Sequence, residues 1–164
     1  MQSDYSKKAY VILHDIRSAE NVGSIFRTAD AAGVSGIFLT GYTPGPVDRF
    51  GRKDKKVTKA ALGAEQTVTW EKKEKIEDVF ARLRKEGVQI VAVEQAVGAV
   101  DYKDFSSSFP TAFVFGNEVD GVPSSVLAEC DAVIDVPMRG IKESLNVSVC
   151  AGIVLFRMLD TPNA

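Results

Sequence analysis

Short runs of apolar, β-branched and aromatic residues alternate with helix-period stretches along the chain, and this alternation constrains the fold more than any other feature. Tyr10–Leu13, Gly36–Thr40, Val88–Val93, Thr111–Phe115 and Ala132–Val136 read as strands. The last three are continuous apolar runs, the pattern of strands covered on both faces. Ser18–Ala32 reads as the helix that follows the first strand, closed by Gly33 as a C-terminal cap. In Glu71–Glu86 the apolar residues Ile76, Val79, Phe80 and Leu83 fall on one helical face, which predicts an amphipathic helix ended by Gly87. Leu145–Leu159 is apolar nearly all round. Its modest length and Arg157 argue against a membrane span, so it is expected in the core or against a partner. Strands alternating with helices predict an α/β fold, a mainly parallel sheet with helices on both faces. Ligands of such sheets bind beyond the carboxyl ends of the strands.

At 164 residues the chain is expected to form one domain, 1–164. Its 45% hydrophobic and 26% charged content excludes a disordered tail, a collagen-like repeat and a disulfide scaffold. A net charge of −2 means that any nucleic-acid site must come from a local patch. One such patch exists. The stretch Arg49–Lys59 holds six basic residues and one acid, leaving the rest of the chain at −7. It lies at the end of residues 41–58, a Gly- and Pro-rich loop long enough to be functional or disordered. Cys130 and Cys150 stand apart, and His14 is the only histidine, so no zinc site is expected. Two buried free thiols in a reducing compartment fit better. Ala9–Leu13 is too short for the apolar core of a signal peptide, which leads to a cytoplasmic expectation with no membrane contact.

Three segments carry polar chemistry at strand ends. The first, His14–Ala29, includes Asn21, Gly23 and Arg27 at the entry to a helix. Gly23 and Ser24 there could approach an anion, although Arg27 read alone is a surface partner for Asp30. The second, Phe115–Pro123, brackets Asn117, Glu118 and Asp120 between Gly116 and Gly121; read alone, its acids are solvated caps. The third, Val136–Ala151, offers Ser144 as a helix cap and puts Asn146 and Ser148 into an apolar helix.

Together the three resemble the motifs of the SpoU (TrmH-like) RNA 2′-O-ribose methyltransferases of the SPOUT class. The matching residues are Asn21, Gly23 and Arg27, then Gly116, Glu118 and Gly121, then Pro137, Met138, Gly140 and Ser144–Ser148. Their order and spacing span about residues 10–159. The resemblance implies a C-terminal deep trefoil knot, a homodimer and S-adenosylmethionine as methyl donor, with no metal. It implies donor contacts from Val93, Glu94, Gly116, Val136, Met138 and Leu145, and catalytic roles for Arg27, Asn21, Glu118, Ser144 and Asn146. The expected substrate is the ribose of a transfer RNA or, second, a ribosomal RNA. With no separate RNA-binding domain expected in the chain, Arg49, Arg52, Lys53, Lys55 and Lys56 are the expected phosphate contacts. Two other readings stand beside this one: a non-catalytic RNA-binding or assembly factor that retains the fold, and a flavodoxin-like nucleotide-binding domain. The second should carry a Gly- or Ser/Thr-rich phosphate loop after its first strand, where this chain has Asp15-Ile16-Arg17-Ser18.

Overall fold

Seven parallel strands form one sheet in the computed structural model, which describes residues 7–160. The first half of the chain runs β1 (Ala9–His14), α1 (Ala19–Ala32), β2 (Gly36–Thr40), α2 (Lys55–Ala61), α3 (Ala64–Thr67), β3 (Trp70–Lys73) and α4 (Ile76–Lys85). The second half runs β4 (Gln89–Val93), β5 (Val100–Asp101), β6 (Thr111–Phe115), α5 (Ser124–Leu127), β7 (Ala132–Asp135) and α6 (Val147–Asp160). In space the strands lie in the order β3-β2-β1-β6-β4-β7-β5. The direction of growth reverses between β1 and β6, the kind of switch point at which parallel sheets open a crevice. Register brings the strand ends level: Leu13 pairs with Phe115, Ala92 with Val114, and Val93 with Ile134.

Side chains leave a strand alternately to its two sides, and both sides are buried here. Val11, Leu13, Val91, Phe113 and Phe115 pack with Val22, Ile25 and Phe26 of α1 and Val154 and Leu155 of α6. Ile12, Phe38, Ile90, Ala112 and Val114 face the other way, onto Ile76, Val79, Phe80 and Leu83 of α4. Each of those four α4 residues is at most 3% exposed.

Gly23 holds the closest helix contact. A Cβ at this position would lie 2.3 Å from the Val57 carbonyl oxygen and 2.7 Å from the Ala60 Cβ on α2. Its small size therefore serves the packing of α1 on α2, and the expected anion role is not needed to explain it. Gly23→Ala is expected to destabilise the fold by about 1–3 kcal/mol, because the backbone of α2 must shift. Urea unfolding measures this directly; an unchanged midpoint would mean that the two helices part freely.

Three local expectations are corrected. Residues 71–73, read as the start of a helix, belong to β3, which pairs with β2 through Ile37–Trp70 and Thr40–Lys73. As an edge strand it needs little apolar surface and tolerates Lys72 and Lys73. Its anchor is Trp70, which meets Phe26 edge-on at 6.5 Å. The loop read as 41–58 ends at Asp54, whose side chain caps α2 by accepting from the Lys56 and Val57 amides. The last helix starts at Val147 and not at Leu145. Asn146 caps it, accepting from the amides of Ser148 and Val149, so Ser144 is not the cap.

Candidate active site

The loop after β6 is folded back on itself at Gly116. A Cβ there would sit 2.5 Å from the Gly121 carbonyl carbon and the Val122 nitrogen, so no larger residue fits without moving backbone. Asn117, only 7% exposed, holds the loop from inside. Its Oδ1 accepts from the Val119 and Asp120 amides, both at 2.8 Å. Its Nδ2 donates to the Asp15 carbonyl at 3.0 Å and to the Tyr42 hydroxyl oxygen at 2.7 Å. Glu94, at the end of β4, accepts from the Val122 amide at 2.8 Å. The ends of β1, β2, β4 and β6 are thereby tied together.

A second chain of hydrogen bonds joins all three polar segments. Asn146 Nδ2 donates to Asn21 Oδ1, and Asn21 Nδ2 donates to Glu118 Oε1, each at 3.1 Å. Glu118 also accepts from the backbone amides of Arg17 at 2.9 Å and Ser18 at 3.0 Å. Its carboxylate therefore sits at the N-terminus of α1, where the helix leaves unpaired N–H groups. Burial pushes its carboxyl up, but the Arg17 and Ser18 amides and the Asn21 side chain outweigh it and hold the group below its ordinary value. A lowered carboxyl stabilises the fold above the ordinary carboxylate range and loses that contribution as pH falls through the lowered value. Glu118→Gln is therefore expected to cost about 1 kcal/mol at neutral pH. The gap from the native chain should close on acidification. Unfolding curves against pH test this, and a pH-independent gap would contradict it.

The strand ends and the segment leading to α6 enclose a cleft of about 340 Å³. Val93, Glu94, Gly116, Val136, Met138 and Leu145 all line it, as do Glu118 and Ser144. Asn21, Arg27 and Asn146 do not. The wall carries five carboxylates, Glu94, Glu118, Asp120, Asp135 and Glu143, and no lysine, arginine or histidine. Such a lining attracts a cation and repels a phosphate. Cys150 also faces the cleft, and burial, with Glu94 adding to it, pushes its thiol up to about 11. It is therefore a protonated thiol at neutral pH and not a nucleophile.

Residues 8–156 match the SpoU rRNA methylase family. The chain belongs to that family. A tRNA (guanosine(18)-2′-O)-methyltransferase of Escherichia coli is 32% identical over 146 residues, which is 89% of this chain and 60% of that one. A 23S rRNA (guanosine-2′-O-)-methyltransferase, RlmB, of Neisseria meningitidis is 33% identical over 145 residues, 88% of this chain and 55% of that one. The chain thus spans between half and two thirds of the length of these curated relatives. The crystal structure of an AdoMet-bound rRNA methyltransferase from Sinorhizobium meliloti superposes with a TM-score of 0.81 at 34% identity, covering 92% of this chain and 55% of that one.

Within this SpoU fold, Arg27 stands apart from the cleft. It is exposed on α1, and its side chain makes no hydrogen bond or ion pair with another described residue. The expected pairing with Asp30 is absent; Asp30 accepts instead from the Thr67 hydroxyl at 2.6 Å. Six residues beyond Asn21, Arg27 points roughly 120° away from it around the helix. One turn beyond Gly23, it lies on the side of α1 nearer to α2, whereas α6 packs beside α1 at Thr28 and exposes Val149 (51%) and Phe156 (43%).

The basic stretch is also more ordered than a loop. Arg52 is paired with Asp48 (Nε–Oδ2 2.7 Å), whereas Lys55, Lys56 and Lys59 project from α2 into solvent. His14 bonds Thr40 at 2.9 Å and lies 3.5 Å from Asp15, outside the cleft lining. Lys72, which no motif marked, donates to the carbonyls of Gly41 and Thr43 and fixes the turn after β2. Among the described residues, no group of three or more His, Cys, Asp and Glu side chains is arranged to hold a metal ion. No described helix is long and apolar enough to cross a membrane.

Proposed function

We propose that this chain transfers a methyl group from S-adenosylmethionine to a ribose 2′-hydroxyl of RNA in the cytoplasm. The observation that carries the reading is a separation of charge. A cleft walled by carboxylates opens at the strand ends, while exposed basic residues stand outside it on α2 and the preceding hairpin. The first suits a cationic sulfonium and the second a polyanion. The named activities of the relatives support both halves, and an AdoMet-bound relative shares the fold.

The cleft fits the donor chemically. Val93, Val136, Met138 and Leu145 offer apolar walls for a purine, and the carboxylates complement the positive sulfur. The bound donor supplies a methyl group activated by the positive charge on sulfur. Glu118 and Asn21 do not move protons. Glu118 Oε2 accepts from the Arg17 amide and Oε1 from Ser18 and Asn21, so these two residues fix where α1 begins relative to the cleft. Asn146 couples that position to the wall formed by the segment before α6.

Arg27 is assigned to the reacting hydroxyl. A guanidinium is effectively always protonated, so it acts by hydrogen-bonding the 2′-oxygen and stabilising the negative charge that develops there. The hydroxyl proton leaves to solvent as the O–CH₃ bond forms and the S–CH₃ bond breaks. Because Arg27 is exposed on α1 and takes no part in lining its own cleft, it is assigned to the cleft of a second copy in a homodimer. Calorimetry with S-adenosylmethionine tests the first half of the proposal, with one site per chain expected. Absence of binding would overturn it.

A further inference from the structure

The segment between β2 and α2 ends in an ordered hairpin whose tip joins neither core cluster of the described residues. Val47 and Lys53 form an antiparallel bridge, and the Asp48 amide donates to the Arg52 carbonyl at 2.9 Å. Asp48 Oδ1 accepts from the Phe50 and Arg52 amides at 2.8 and 3.0 Å, and its Oδ2 accepts from Arg52 Nε. The backbone and Asp48 thus hold the tip closed, and the Phe50 ring takes no part. That ring is 67% exposed. The guanidiniums of Arg49 and Arg52 lie 4.7 and 5.1 Å from its centroid.

An exposed phenylalanine that covers no core and is flanked by two planar cations is a surface suited to flat, electron-rich rings. The neighbouring charge selects among such ligands, because the stretch 49–59 carries six basic residues and one acid and so favours a polyanion. A ligand that is both polyanionic and aromatic is a nucleic acid with unpaired bases. Bases of a duplex are hidden in its stack, whereas those of single strands and loops can lie on aromatic or guanidinium planes.

From this we infer that the Phe50 tip is a stacking platform for an unpaired RNA base, with Arg49 and Arg52 extending the stack and the α2 lysines holding the phosphates. This deepens the RNA reading above, on which it rests. It also changes the expected role of Arg52, whose charge is already paired with Asp48. The hairpin follows β2, which stands two strands from β6 in the sheet that carries the cleft.

The test compares fluorescein-labelled oligoadenylate with a short RNA duplex, over a range of salt. Phe50→Ala should weaken single-strand binding by about 5- to 100-fold with an unchanged salt slope, and barely affect the duplex. Phe50→Trp should restore affinity, and its added indole fluorescence should be quenched by oligoadenylate. Lys55→Gln with Lys56→Gln should instead flatten the salt slope, by about 0.7 per lost contact on a single strand. Unchanged single-strand affinity in Phe50→Ala would overturn the inference, and so would equal losses on both probes. A changed sedimentation coefficient for Phe50→Ala would also overturn it, by making the ring a contact between subunits. Methyl transfer is read separately. A chain that binds oligoadenylate through Phe50 but transfers no methyl defeats the enzymatic reading and supports this one.

Discussion

Arg27→Ala should lower methyl transfer to RNA by roughly 100- to 1000-fold, the loss typical of removing one hydrogen-bond donor to a developing oxyanion. The fold should be nearly untouched. The Arg27 side chain is exposed and bonds to no other described residue, so its removal falls among surface changes within about 0.5 kcal/mol. Donor affinity should hold as well, because Arg27 is not part of the cleft wall. Arg27→Lys keeps the charge but loses the planar fork, so it should recover little of the rate. Single-turnover kinetics beside a melting curve separates these outcomes. Near-native turnover in Arg27→Ala would return the residue to an ordinary place on a helix surface.

Phe156→Glu is expected to give a monomer and to lose methyl transfer to about the same extent. Val149 and Phe156 lie two helical turns apart on the outer side of α6, whose inner side packs Ala151, Val154, Leu155 and Met158 into the core. Burying an unpaired carboxylate in an apolar contact costs several kcal/mol, enough to part a dimer at micromolar concentration. The single chain keeps its whole cleft, so S-adenosylmethionine should still bind. Mixing provides an internal control. Arg27→Ala subunits combined with subunits carrying Gly116→Val, which obstructs the loop after β6, should regain activity, since the mixed dimer joins one intact cleft to one intact Arg27. Sedimentation and turnover of the mixture read this. No recovery from a mixture shown to contain mixed dimers would place Arg27 at its own cleft.

What the sequence made legible follows from how each element is stabilised. β1, β2, β4 and β6 are largely buried runs whose apolar content announces them, β7 is announced the same way although only its Ile134 is buried, and α4 shows its buried face as a clean period. β3 is held by backbone pairing to β2 and by Trp70, so Glu71-Lys72-Lys73 resembles the start of the helix that follows. β5 is only Val100–Asp101 and exists because β7 is beside it; two residues carry no period. α2 had a readable signal in Asp54 ahead of a lysine-rich, alanine-ended run, but the surrounding glycines and prolines masked it.

The site divides in the same way. Residues lining the cleft stand at strand ends, where a parallel sheet puts its ligands, and the motif resemblance supplied their identities. The role of Glu118 was not legible. Its acidity is visible in the sequence, but its partners are amides about a hundred residues earlier, brought near only by the β1–β6 pairing. Asn117 was hidden for the same reason, since its bonds to Asp15 and Tyr42 cross from β6 to the turns after β1 and β2. The knot that the resemblance implies leaves no mark on periodicity at all.

Methyl transfer to a ribose oxygen is measured with S-adenosylmethionine labelled in its methyl group, purified chain and unmodified transfer and ribosomal RNA. The account predicts label in RNA that, after alkaline hydrolysis, remains in dinucleotides, because a 2′-O-methyl group blocks cleavage of the neighbouring phosphodiester. Label released entirely in mononucleotides would place the methyl on a base, and no label in any RNA under conditions where the donor binds would remove the enzymatic account.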